Sequence, residues 1–275
     1  MIQLGGNSRQ SLASLRDVLD EKLKGLSSAD CTAISTDLFI VLNSLNSSVG
    51  LRRALTDPSR DVQSKSVLVN ELFESVISKR VLALLIEAVS ARWSSPVDVA
   101  SAVEQLAIEA EATAANAEGV LDRVQDELFV FSRSLATNQE LRQILGDRAG
   151  SAQGKQELIS ALFGKNAAPS TVRLLIHLVN GLAWRNIDAV EEIYIDAVAA
   201  RRNRLIVLVS TRSPLTDAQT EKLSTVMSEQ VGQPVHLNFH IDPSVIGGVA
   251  IRFADEIIDG TISTRLAEAG RALAV

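Results

Sequence analysis

Cysteine is almost missing from the 275 residues: Cys31 stands alone. No internal disulfide can form, and a reducing cytoplasm suits such a chain. A lone thiol without a positioned histidine or basic neighbour reads as buried and inert. Aromatic residues make up only 4%, while Leu, Val and Ala carry most of a hydrophobic content of 46%. That palette packs well between helices and points to a helix-rich protein. Long apolar runs are lacking too. The longest clean run, Val81 to Ile86, falls far short of the roughly 20 residues a spanning helix needs. The start, Met1 to Arg9, lacks the charged opening and apolar stretch of a secretory signal. Positive charge is in deficit, with a net charge of −6, which argues against a nucleic-acid partner. No block of like charges marks a disordered tail. The expectation is a soluble, intracellular chain of one large or two modest domains that meets a membrane only through a partner.

What is abundant is self-similarity. Setting Leu38 against Leu128, an offset of 90, and holding it to Phe73 against Phe163 gives 13 identities in 36 positions. Chance would give about two or three. The identities include Phe39/Phe129, Arg52/Arg142, Asp57/Asp147, Lys65/Lys155 and Leu72-Phe73/Leu162-Phe163. The offset resumes at Leu84-Leu85-Ile86 against Leu174-Leu175-Ile176, and Trp93 and Trp184 fall one residue out of step. This is a duplication.

Each copy reads as helices. Leu12, Leu15, Leu19, Leu23 and Leu26 recur at steps of three or four, as do Leu121, Val124, Leu128, Phe131 and Leu135. Thr56-Asp57-Pro58 is a turn, and its counterpart Gly146-Asp147 supplies glycine instead. Ser95-Pro96 is a helix start, with proline where its missing N–H does no harm. The period leaves room for about five helices per copy. The segment from about Pro96 to Ala117 is therefore expected to close the first bundle and open the second. Two separate bundles with a short link, broken near Gly119, are the alternative.

The pattern changes at Leu205. Leu205 to Val209 reads as a buried strand. Thr216-Asp217-Ala218-Gln219 is a capping box, opening a helix that buries Leu223, Val226, Met227 and Val231 and that Gly232 ends before Pro234. Val235, Leu237, Phe239 and Ile241 alternate with His236, Asn238 and His240, a strand with one wet face. Val249, Ile251 and Phe253 alternate again, Asp255-Glu256 turns the chain into Ile257-Ile258, and Ile262, Leu266, Ala269 and Leu273 stripe a final helix. The fold class is mainly α: a duplicated N-terminal helical bundle (1–110 and 111–204), then a small α/β C-terminal domain (205–275).

The segment from Ile241 to Arg252, continuing through Asp255, Ile258-Asp259-Gly260-Thr261-Ile262 and Arg265-Leu266, resembles the C-terminal signature of the ATP synthase delta subunit family, called OSCP in mitochondria. Ser210-Thr211, Leu215-Thr216, Gln219 and Leu223 fit the strand and helix that precede that signature. The Leu-Arg, Leu, Asp, Lys, Leu and Leu-Phe pattern of each helical copy also looks like the family's N-terminal domain. The doubled helical part looks like the longer delta regions of actinobacteria. Some of those are fused behind a membrane-anchored stalk helix, and with Met1 as the start this chain would be the free-standing form. The resemblance implies a non-catalytic stator, peripheral to the cytoplasmic face of a bacterial membrane. Its helical domain would grip the N-terminal helix of an alpha subunit of the catalytic head, and its C-terminal domain would contact b-type stalk helices. Helix-in-groove binding suits a bundle of Leu/Val/Ala stripes. A helical-repeat adaptor outside ATP synthase is the alternative.

Chemistry is sparse. Gly150 to Gln156 imitates a phosphate loop but has three residues between glycines where four are needed, and Gln156 where Ser or Thr should meet the metal. His236, His240 and Asp242 sit on the wet face of a strand and read as solvated rather than as metal ligands. His177 reads as a helix-surface residue, and Trp93 and Trp184 as core. No catalytic residue, cofactor or metal is expected. Candidate partner-binding residues are Gly247, Gly248, Arg252, Asp259, Gly260 and Arg265. The glycines admit a structural reading as bulge and turn, and Arg252 and Arg265 face either acidic stalk residues or Asp255 and Glu268.

Overall fold

The computed structural model describes residues 4–147, 149–183, 185–204, 206–232, 235–242, 245, 248–253 and 256–259. Residues 1–199 form one compact unit and residues 200–275 a second.

The helical series begins with α1 (Gly6–Leu23), α2 (Ser28–Ser47), α3 (Val49–Thr56), α4 (Val62–Phe73) and α5 (Lys79–Ser90). It continues with α6 (Pro96–Ala117), α7 (Leu121–Thr137), α8 (Gln139–Gly146), α9 (Ala152–Phe163), α10 (Pro169–Asn180) and α11 (Ile187–Arg204). The duplication is written into the boundaries: α3 and α8, α4 and α9, and α5 and α10 each begin and end 90 residues apart. Their caps repeat as well. Ser48 and Asn138 accept from the backbone N–H of Leu51 and Leu141, and Asp61 and Ser151 cap α4 and α9. These contacts satisfy donors that a helix start leaves unpaired. The turns repeat too: the carboxylates of Asp57 and Asp147 accept from the N–H two residues on, at 2.9 Å in both copies.

Helix α6 occupies two places in this scheme. It starts 90 residues after α1 and 91 before α11, the extra residue being the one by which the tryptophans slip. It packs against α1, α2 and α3 and also against α7 and α10. The sequence-based boundary at 110/111 therefore falls inside a continuous helix. Residues from Val99 to Asn116 are buried on every side of it, as expected of a helix that must serve two bundles. Alanines make this possible, since seven buried ones from Ala100 to Ala115 leave room for neighbouring backbones. At one such approach the Ser35 hydroxyl of α2 donates to the Ala107 carbonyl at 2.8 Å. Pro96 takes the first helical position behind the Ser95 cap.

The predicted stripes are buried except at Leu26, which is half-buried beyond the end of α1: Leu12, Leu15, Leu19 and Leu23 in α1, and Leu121, Val124, Leu128, Phe131 and Leu135 in α7. Cys31 is buried. Trp93 departs from the core reading. It is half-buried, and its indole N–H donates to the Ala88 carbonyl at 2.8 Å, closing the end of α5. Trp184 lies outside the described residues.

In the second unit, β1 (Ile206–Thr211), α12 (Asp217–Val231), β2 (His236–Ile241), β3 (Val249–Phe253) and β4 (Glu256–Asp259) build a sheet of order β2-β1-β3-β4. β1 runs parallel to β2 and antiparallel to β3. The crossover between parallel strands is α12, opened by the complete Thr216/Gln219 capping box and closed by Gly232 in the left-handed region at φ 78°. Val207, Val209, Met227, Val235 and Ile251 form its core. Three details differ from the sequence reading. Val226 of α12 is 48% exposed rather than buried with Met227. β1 alternates rather than being buried throughout: Val207 and Val209 are buried, while Leu208 is half-buried on the other face. β2 loses its cover toward its end, with Phe239 38% and Ile241 51% exposed. The expected final helix from Ile262 lies outside the described residues.

Candidate partner-binding surfaces

Three glutamates of α6 are buried, with side chains 1–2% exposed, and each meets an arginine from a different segment. Arg16 of α1 reaches Glu109 at 2.6 Å and also donates to Gln105 at 2.9 Å. Arg173 of α10 donates to Glu111 through two nitrogens, at 2.9 and 2.6 Å, and to Ser170 at 3.0 Å. Arg185, just before α11, grips both oxygens of Glu104 at 2.6 and 2.9 Å. A buried carboxylate without such a partner would be strongly destabilising. These pairs pin α6 to both helix sets. Sequence reading passed over all six residues. The signal was present: a helix rich in alanine with no polar face must bury its glutamates, and buried glutamates need cations.

His177 is not a surface residue. Its ring stacks on Phe39 of α2 with centroids 3.8 Å apart and planes 7° apart. Burial, reinforced by the Arg173 charge, pushes its pKa down to about 4. The phosphate-loop look-alike is the cap and first turn of α9. Lys155 points inward, with its ammonium donating to the Val179 carbonyl at 3.3 Å, and burial lowers its pKa. Its repeat partner Lys65 is likewise buried. Neither is placed to meet a phosphate.

Among the described residues no helix or strand covers the sheet face opposite α12. Leu208, Ser210, Asn238, His240, Ala250 and Arg252 line a cavity of about 490 Å³ there. Of the candidate residues, Arg252 lies on this face, in β3 opposite Leu208, and is exposed. Asp259 is the last residue of β4, opposite Ala250, rather than a turn residue. Gly248 has φ 85° just before β3, a conformation that favours glycine and supports its structural reading. Gly247, Gly260 and Arg265 lie outside the described residues. His240 is exposed on the same face, and among the described residues no cluster of His, Cys, Asp and Glu could hold a metal.

A family model described as ATP synthase delta (OSCP) subunit matches residues 109–273, more than half of the chain. The chain belongs to the ATP synthase delta (OSCP) subunit family. It is 38% identical to the ATP synthase subunit delta of Streptomyces coelicolor over the full length of both chains. It is 39% identical to that of Kineococcus radiotolerans, covering 98% of this chain and 97% of the relative. The delta (OSCP) subunit is a peripheral-stalk component of ATP synthase, a stator without catalytic activity. No described helix is long and apolar enough to cross a membrane. The family match opens inside α6, so it takes in the second helix set and the α/β unit. Helices α1 to α5 lie before it, yet within the full-length alignments to the actinobacterial relatives.

Proposed function

We propose that this delta subunit bridges two partners at the cytoplasmic face of a bacterial cell membrane. The helical part, as copies 1–110 and 111–204, holds the N-terminal helix of an alpha subunit of the F1 head. The segment 205–275 holds the b-type stalk helices. The full-length similarity to delta subunits carries the reading, and the division into two compact units supports two separate attachments. Arg252 gives the open sheet face a cation for acidic stalk residues, with Gly248 and Asp259 at its margin and Gly247, Gly260 and Arg265 in the same segment. The work is mechanical: a passive bridge that resists rotation of the head.

The test is binding by the full chain carrying Arg252→Glu. It should bind stalk-helix peptides at least tenfold more weakly and an alpha-subunit N-terminal peptide as well as before. Unchanged binding to the stalk peptides would remove the sheet face from the proposal.

A further inference from the structure

Helices α5 and α10 share an inner stripe but not an outer one. Leu84, Leu85, Ala88 and Val89 of α5 are buried, and so are Leu174, Leu175, Leu178 and Val179 of α10, 90 residues on. Along a second line of the helix, at i, i+3 and i+7, α5 carries Arg80, Ala83 and Glu87, all exposed. At the same places α10 carries Ser170, Arg173 and His177, of which Ser170 is fully buried and the other two are half-buried. These residues meet the first helix set. His177 stacks on Phe39 of α2 at 3.8 Å, and Arg173 donates to the Thr32 hydroxyl of α2 at 3.4 Å. Arg173 also donates to Ser170 and holds Glu111 of α6, while Tyr194 of α11 brings its ring within 6.4 Å of Phe39. The receiving residues diverge in step. Phe39 is 3% exposed where its counterpart Phe129 is 49% exposed, and Glu111 is buried where its counterpart Glu21 is exposed.

We propose that Ser170, Arg173 and His177 form a clasp that sets the angle of the second helix set against the first. Two sets joined along one shared helix can turn about it, and a contact to one side of that axis stops the turn. The His177–Phe39 stack and the Arg173–Thr32 bond are such contacts, since both pass directly from α10 to α2. The clasp lies outside the inner stripes that build each set's own core. It therefore opens as a unit, at a lower free energy than either set unfolds. The residues that α5 keeps at these places, Arg80 and Glu87, would bring charge against a ring face and cannot make the same contact. The inference concerns the helical unit alone and stands whichever partners that unit holds. Within the stator proposed above, the closed clasp makes the two helix sets act as one body.

The experiment uses the full chain carrying Cys31→Ser, with spin labels at Glu71→Cys on α4 and Gln156→Cys on α9, both exposed positions. Pulsed electron resonance reads the distance distribution between them, which should be narrow. Ser170→Arg with His177→Glu, which gives α10 the residues of α5 at those places, should widen it at least twofold and leave the helical circular dichroism unchanged. Phe39→Ala, which removes the clasp from the α2 side, should widen it as well. In the labelled chain without these changes, urea should widen the distribution at a lower concentration than melts the helices. A narrow distribution in either folded variant would overturn the inference, as would urea widening that coincides with the loss of helix. Should both variants fail to fold, the urea series decides alone.

Discussion

Arg185 and Glu104 meet as a two-point fork, nitrogen to oxygen at 2.6 and 2.9 Å, with the carboxylate side chain 1% exposed. Removing the cation should be worse than removing the pair. Arg185→Ala should cost about 3–5 kcal/mol, because Glu104 would stay buried without its partner. The double variant Glu104→Leu with Arg185→Leu should lose markedly less. Urea midpoints of the two proteins decide the matter, and equal losses would contradict this account of the fork.

Tyr194, next to that pair, is 0% exposed, and its hydroxyl has no hydrogen-bond partner among the described residues. Burial, with the Glu104 charge adding to it, holds the phenol well above its usual pKa. Tyr194→Phe should therefore be neutral or stabilising by about 1 kcal/mol, since no bond is lost and a stranded polar group disappears. A drop in melting temperature of several degrees would show that the hydroxyl is engaged.

His177 should make the helical unit acid-sensitive. Its folded pKa of about 4 lies below the ordinary 6.5, so between those values the unfolded chain binds more protons. Stability is fully present above about pH 6.5 and falls as pH drops toward 4, by about 3 kcal/mol in all. Melting temperatures from pH 7 to 4.5 should decline less steeply for His177→Phe than for the parent. Parallel curves would mean that the imidazole stays hydrated.

Neighbouring positions on α7 should respond in opposite ways. Leu128 and Leu135 are buried, so Leu128→Asp or Leu135→Asp should cost more than about 3 kcal/mol and melt the second helix set. Phe129→Asp, one residue from Leu128 but facing out, should hardly change the circular dichroism melt. In the second unit Thr216→Ala should cost about 1 kcal/mol by breaking the capping box.

The parts of this fold that local chemistry dictates could be read directly from the residues. Thr216 and Gln219 announced α12, Pro96 announced α6, and the leucine stripes of α1 and α7 announced their buried faces. What escaped reading was what depends on neighbours far along the chain. Nothing local to His177 reveals that Phe39 covers it, because those residues come from different copies of the repeat. Phe239 and Ile241 alternate like any buried strand face, yet burial requires an opposing element, which periodicity does not supply. Glu104, Glu109 and Glu111 looked like ordinary helical charges because their arginine partners lie at least 62 residues away. The candidate surface was legible only in part: Arg252 stands on the sheet face opposite α12, while Asp259 ends a strand and Gly248 holds a positive φ, which no local pattern announced.

Sharing α6 has a consequence for how the molecule can yield. Two bundles strung on a tether would swivel, and the tether would take up any twist before either bundle felt it. Here the connection is a 22-residue rod, roughly 33 Å long at 1.5 Å per residue, clamped by ion pairs toward both sides. Torsion entering one set must bend or shear that rod to be absorbed, so duplication has lengthened the brace without adding a joint.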